Sequence, residues 1–439
     1  MVLKQQLHSL CGQPRFRQQL VFFHDGVVAN VSDDHILRQG EAQLVLIPFS
    51  PASEKQVKEL RDAAGSGLAS TVEAILQRPQ DPDLGQPTPL LVACAHGHVE
   101  VVELLLEARA DLNKATNDGI TPLFIAAQEG LLEVARLLLE AHADKDMVME
   151  DGMSPLLIAS QSGKVEVVRL LLEAKADKDK ANGDGSTSLF MAAQKGQLEV
   201  ARVLMEAAAD TDKAKADGAT PLFMAAQEGQ LEVARLLLEA KADKNKARHH
   251  GATPLFVAAQ EGQLEVVRLL TEAKADKNSA IDGGATPLFV AAQEGRLQVA
   301  QLLLEAKADK DKSTNMGATP LFMAAAHGRL EVGRLLMEAK ADKDKATNIG
   351  ATPLFIAAQE GQLEVARLLL EAKADKDRAK NDGTTALFVA ARCGQMEVAR
   401  LLMEMKADKN KAVEDGTSPR SAQLSSGSSS RSVPRCSLC

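Results

Sequence analysis

Residues 218–244 read Gly-Ala-Thr-Pro-Leu-Phe-Met-Ala-Ala-Gln-Glu-Gly-Gln-Leu-Glu-Val-Ala-Arg-Leu-Leu-Leu-Glu-Ala-Lys-Ala-Asp-Lys, and this stretch decides the fold. Thr220 before Pro221 marks a helix start. The hydroxyl accepts a bond from an orphan amide, and Pro at the first helical position leaves no amide unpaired. Gly229 suits the left-handed conformation that ends a helix, so residues 222–228 are a predicted inner helix of about two turns. A second helix is predicted over residues 231–240, with Leu231, Ala234, Leu237 and Leu238 on its apolar side. Glu232, Arg235 and Glu239 lie outside, spaced for ion pairs three and four residues apart. Two helices this small cannot bury their apolar faces alone, so they must stack on equivalent pairs before and after.

Those equivalents are present. Thr88, Thr121, Ser154, Thr187, Thr220, Thr253, Thr286, Thr319, Thr352, Thr385 and Ser418 follow one another at intervals of 33. Thr-Pro-Leu, Ala-Ala, Gly-x-x-Glu-Val, Leu-Leu-Leu and Ala-Asp at these offsets resemble the ankyrin repeat over residues 88–417, about three quarters of the chain. The resemblance implies a mainly α, ankyrin-type repeat solenoid of ten 33-residue helix-loop-helix units. A divergent helix pair over residues 54–63 and 68–77 is expected to form an N-terminal capping repeat within 51–87.

Two departures from the family are systematic. Where the family has His after Thr-Pro-Leu, this chain has Phe124, Phe190, Phe223, Phe256, Phe289, Phe322, Phe355 and Phe388, with Leu91 and Leu157 in the other units. Apolar burial is the expected compensation for the lost hydrogen bonds, at roughly 1.5 to 3 kcal/mol per ring. The family's Gly before Ala-Asp is replaced by Lys175, Lys241, Lys274, Lys307, Lys340, Lys373 and Lys406, by Arg109 and His142, and by Ala208. A left-handed Lys costs about 1 kcal/mol relative to Gly, of which a cation at a helix C-terminus recovers roughly 0.3 to 1.

Upstream, residues 20–23 and 43–47 have strand character and residues 2–10 are read as a helix. Gly12-Gln13-Pro14, the run from Arg17 through Phe22, and Leu44-Val45-Leu46 resemble part of a ubiquitin-like β-grasp domain, implying an incomplete α+β segment over residues 1–50. Val21 and Val45 match two positions of that family's receptor-contacting patch, with strand packing as the competing reading. No Gly-Gly follows the last strand, so conjugation is not implied.

Residues 418–439 are Ser-rich and expected to be a disordered tail. They end Cys436-Ser437-Leu438-Cys439, which has the shape of a prenylation signal with Arg431 and Arg435 nearby, and Cys436 would carry the lipid.

Composition bounds the function. No Trp and no Tyr occur, Phe numbers 12, and the net charge is −9, which disfavours nucleic acid as a partner. Five scattered cysteines without paired metal spacing read as a reducing, intracellular environment, cytoplasmic or nuclear. Neither an export signal nor a transmembrane run is legible, so Asn30-Val31-Ser32 carries no weight as a glycosylation acceptor. Nine His complete no metal or nucleophile motif; His96 and His98 read as turn residues, and His249 with His250 is the only adjacent pair. Asp177-Lys178-Asp179 starts like a calcium loop but has Asn182 where Gly is needed and Ser188 where Glu is needed. No phosphate loop or nucleophile elbow is found. We therefore expect no enzyme, no cofactor and no metal.

Binding is the expected role, as a monomeric scaffold or adaptor for protein partners. The helices are near copies of one another, whereas the loop tips differ, and in ankyrin proteins such fingers and the inner helices form the concave binding face. Met147, Met149, Arg248, His249, Ile281, Met316 and Ile349 are the candidate contacts; drift of surface loops is the competing reading. A ubiquitin-pathway adaptor is the alternative function. Membrane contact is expected only through a prenylated Cys436. The Lys ladder, for example Lys241, Lys244 and Lys246, reads as part of a solvated mixed-charge face without aromatic residues for base stacking.

Overall fold

The structure, a computed structural model, describes residues 16, 18–24, 27–30, 41–46, 49–78 and 80–409, the three strands by their backbone. The chain divides into two compact units, one ending at Ala216 and the other beginning at Asp217.

The first unit opens with strands β1 (Gln18–His24), β2 (Val27–Asn30) and β3 (Glu41–Leu46). They form one sheet in the order β2-β1-β3. Both pairings are antiparallel, with Phe22 opposite Ala29 on one side and Leu20 opposite Leu44 on the other. The two strands read from sequence are present. The third, β2, was missed although Asp25-Gly26, a strong hairpin dipeptide, separates it from β1 in the sequence. The helix read over residues 2–10 lies outside the described residues. This arrangement does not support the ubiquitin-like reading. Apolar runs divided by turn residues, which prompted the reading, are common to any small antiparallel sheet.

Next comes the helix pair Glu54–Gly65 and Ala69–Leu76. Four inner helices follow, Pro89–His96, Pro122–Glu129, Pro155–Gln161 and Ser188–Lys195, each with an outer helix behind it. The second unit has six inner helices, Pro221–Glu228, Pro254–Glu261, Pro287–Glu294, Pro320–Ala326, Pro353–Gln359 and Ala386–Arg392. Their outer partners run from Leu231–Glu239 to Met396–Glu404. Within each unit an inner helix packs on the next inner helix and on its own outer helix.

The local chemistry is as the sequence dictates. Each inner helix begins at a buried Thr or Ser whose oxygen accepts the amide three residues on, Phe223 N to Thr220 Oγ1 being 3.2 Å. Gly229 ends its helix at φ 74°. A Cβ there would collide with the Gln263 side chain. That glutamine donates Nε2 to Gln227 O at 3.2 Å, tying one repeat to the next.

The Phe ladder is interior, with Phe223 2% and Phe322 8% exposed at its extremes. Ala225 and Ala226 are completely buried and let neighbouring inner helices approach closely. On the outer helix the inward residues are Val233, Ala234 and Leu237, whereas Leu231 and Leu238 are half-buried. Three consecutive leucines do not reveal which one faces inward; packing chooses the middle one. Arg235 and Glu232 form the outward pair at 3.6 Å.

All ten substituted glycine positions are left-handed, from Ala208 at φ 59° to His142 at φ 68°. Lys241 N donates to Leu238 O and Ala242 N to Leu237 O, both at 3.0 Å, so the helix end is fully bonded without glycine. Beyond it, the Asp-Lys-Asp loops bond to one another. Asp342 N donates to Asp311 Oδ1 of the preceding repeat at 2.8 Å, and Asp344 N to Asp342 Oδ1 at 3.0 Å. Lys345 Nζ donates to Asp311 O at 2.6 Å, as Lys180, Lys213 and Lys312 do to their own preceding loops. The reading of the Lys ladder as a solvated face needs correction here: Lys114, Lys180, Lys213, Lys312 and Lys345 are struts between repeats.

Candidate functional site

The fingers that lead into the inner helices are the most variable part of a repeating framework. Most are tight turns closed on their own backbone. Thr314 N donates to Ala318 O at 2.9 Å and Gly317 N to Thr314 O at 2.8 Å, with Gly317 at φ 85°. A Cβ on Gly317 would meet Asn348 N at 2.8 Å, so the next finger is in direct contact. Adjacent fingers are stitched through their backbones, Asn348 N to Met316 O at 3.0 Å and Asn381 N to Ile349 O at 3.1 Å. Three stacked asparagines reinforce the row. Asn315 Nδ2 donates to Asp282 O at 2.8 Å, Asn348 Nδ2 to Asn315 O at 2.8 Å, and Asn381 Nδ2 to Asn348 O at 3.0 Å.

The sequence-predicted contact residues separate into two groups. Met316 and Ile349 stand at the tips of adjacent fingers, 66% and 54% exposed. Both residues take part in the row through their backbone carbonyls, which accept Asn348 N and Asn381 N. Met149 differs, because it also serves the fold. It is half-buried against a cluster of Phe124, Met153, Leu157 and Met191. Met147 and Ile281 are also half-buried. Arg248 is exposed but engaged, with Nη2 2.9 Å from Asp217 Oδ2 and its guanidinium 5.8 Å above the Phe223 ring. His249 is exposed, its amide donating to Asp217 O at 2.9 Å. Cys436 lies outside the described residues.

Sequence reasoning missed why Arg248 occurs where it does. In two other fingers a cation at this place also lies over the Phe of the preceding inner helix: Lys215 covers Phe190 at 5.7 Å and Lys380 covers Phe355 at 5.4 Å. The signal was available in the register, since Lys215, Arg248 and Lys380 occupy equivalent places in the 33-residue period.

Charge at the fingers is local. Partial burial raises the pKa of Asp184, but hydrogen bonds from Lys215 and Ser186 outweigh it and hold the group at about 2. Hydrogen bonding from Thr384, then from Lys380, against a small burial effect, likewise holds Asp382 at about 2. Lys215 Nζ is 2.8 Å from Asp184, and Lys380 Nζ is 3.1 Å from Asp382. Burial pushes the Cys94 thiol up, away from a reactive thiolate. His98 Nε2 lies 3.0 Å from Gly65 O and His96 Nδ1 2.9 Å from Val92 O, so both rings make structural bonds. Among the described residues no group of three or more His, Cys, Asp or Glu could hold a metal ion. No helix among them is long and apolar enough to cross a membrane.

A family model described as ankyrin repeats in three copies matches residues 60–148, 141–215, 207–281, 274–347 and 340–413. The chain belongs to the ankyrin repeat family. That membership implies an interaction role with protein partners in general. No curated protein gives a significant match to the chain.

Proposed function

We propose that this chain is a scaffold or adaptor that holds partner proteins on the finger row and the exposed faces of the inner helices. The observation that carries the reading is the contrast at Met316 and Ile349: two large apolar side chains stand in solvent on a backbone bonded from both sides. A contiguous apolar exposure on a rigid support is what a binding surface needs, because little order is lost when a partner docks. Arg248, His249 and Ile281 belong to the same proposed surface of the second unit, and Met147 and Met149 to the corresponding fingers of the first, with Met149 and Arg248 also serving the fold. The reading takes residues 51–87 as the cap, 88–417 as the array and 418–439 as a tail, with the protein acting as a monomer. Membrane attachment enters it only through lipid on Cys436, which mass spectrometry of the native protein tests directly.

The experiment is affinity capture with the full chain and with Met316→Glu combined with Ile349→Glu. Loss of specific partners from the variant, at unchanged thermal stability, is the expected result. Identical recovery from both proteins refutes the reading. A ubiquitin-pathway role has no family match to rest on and is not adopted.

A further inference from the structure

Counting the capping Thr as first, the fifth, eighth and ninth residues of each inner helix are three and four apart and share one face. In the helix Pro287–Glu294 these are Val290, Gln293 and Glu294, and around Pro353–Gln359 they are Ile356, Gln359 and Glu360. Between them, the helix Pro320–Ala326 breaks the pattern with Met323, Ala326 and His327. Met323 is half-buried, as Ile125 and Ile158 are at the same place, while Val290 and Ile356 are 5% and 3% exposed. The finger leading into this same helix carries the exposed Met316. Three departures on two elements thus meet in one repeat, giving an apolar strip from Met316 over Met323 to Ala326.

Carboxylates flank the strip. Glu294 accepts Gln293 Nε2 and Glu360 accepts Gln359 Nε2, each at 2.9 Å, which keeps further lone pairs of both groups available. The two sides are not equivalent. Arg329 Nε donates to Gln293 O at 3.0 Å and brings a cation beside Glu294, whereas the equivalent donor beside Glu360 is the neutral Gln395.

Resting on the scaffold reading above, we propose that this strip is a docking site for an extended peptide segment of another protein, carrying a large aliphatic side chain flanked on both sides by Lys or Arg. The spacing is specific. Packed helices lie roughly 10 Å apart, and an extended chain covers about that distance in three residues. The basic residues therefore stand three places before and three places after the aliphatic anchor, and the one facing Glu360 makes the stronger contact.

Fluorescence polarisation of labelled peptides against the full chain tests this. The peptide Lys-Ser-Ser-Leu-Ser-Ser-Lys is compared with one bearing Ala at the centre and one bearing Glu at both ends. The first is expected to bind at least about tenfold more tightly than either control, a difference of about 1.4 kcal/mol. Ala326→Gln, which restores the residue found in neighbouring repeats and so preserves folding, is expected to remove that preference. Glu360→Lys is expected to weaken binding more than Glu294→Lys. Equal binding of the three peptides, no binding of any, or an undiminished preference in Ala326→Gln overturns the proposal. If capture of native partners still depends on Met316 and Ile349 while the peptides are not distinguished, the scaffold reading stands and only this inference falls.

Discussion

Every repeat has two loops, and they are built on opposite rules. In the Asp-Lys-Asp loops side chains make the bonds between repeats: Asp311 Oδ1 accepts Asp342 N, and Lys345 Nζ reaches Asp311 O. In the fingers the corresponding bonds run from backbone to backbone, Asn348 N to Met316 O and Asn381 N to Ile349 O. Loops whose side chains do the joining must repeat their residues, and Asp or Asn returns there with the period. Fingers joined through the backbone leave their tips open to Asp217, His250, Gly283, Met316, Ile349 and Asp382 at equivalent places. Asp217 and Asp382 at these tips accept local amides, whereas Met316 and Ile349 take part in the row through their backbones and leave their side chains available for recognition.

The comparison can be broken most sharply at a finger glycine. Gly317→Ala places a Cβ in a left-handed residue and against the backbone of the next finger, and we expect a loss of more than about 2 kcal/mol. Hydrogen exchange at the Asn348 amide reads that loss locally, and unchanged protection would mean the finger backbone is not the strut described. Asp311→Ala removes the acceptor for Asp342 N and should cost about 1 kcal/mol in chemical denaturation. A negligible change there would erase the difference between the two loops.

Acid titration sharpens the picture by testing the charged fingers. The carboxyl of Asp382 is held at about 2 in the folded protein, below its ordinary 3.8. Its contribution is therefore complete above pH 3.8 and is lost as pH falls through that value toward 2. Asp382→Asn should flatten the decline in stability over that window and lower stability near pH 7 by the same amount, a small one because the pair is half exposed to solvent and screened. Thermal midpoints measured from pH 2 to 5 check it. The smallest effect belongs to the tips: Met316→Ser with Ile349→Ser should alter stability by no more than about 0.5 kcal/mol, since neither side chain is buried. A larger destabilisation would show that these residues serve the fold after all.

Much of this framework could be read directly. Thr220-Pro221 and Gly229 announce a helix start and stop through local backbone chemistry, so each needs only near neighbours to be understood, whereas the left-handed Lys241 was implied only by the family's Gly at its place. The candidate surface was legible in part. Met316 and Ile349 were identifiable because apolar residues at a variable loop tip have no local reason to be there. Met149 could not be told from them by sequence, since its burial depends on Phe124, Leu157 and Met191, contributed by three other helices. Nor could the roles of Lys345 and Arg248, whose partners lie in a neighbouring repeat.

The period of 33, the caps and the amphipathic helices thus followed from sequence alone, because hydrogen bonding within a turn and burial along a helix face are governed by residues a few places apart. Tertiary structure decided which leucine of a triplet enters the core, which lysine is a strut, and which apolar loop residue remains in water. Each of those outcomes depends on what the stacked neighbour presents roughly 10 Å away, at a distance along the chain that no local rule spans.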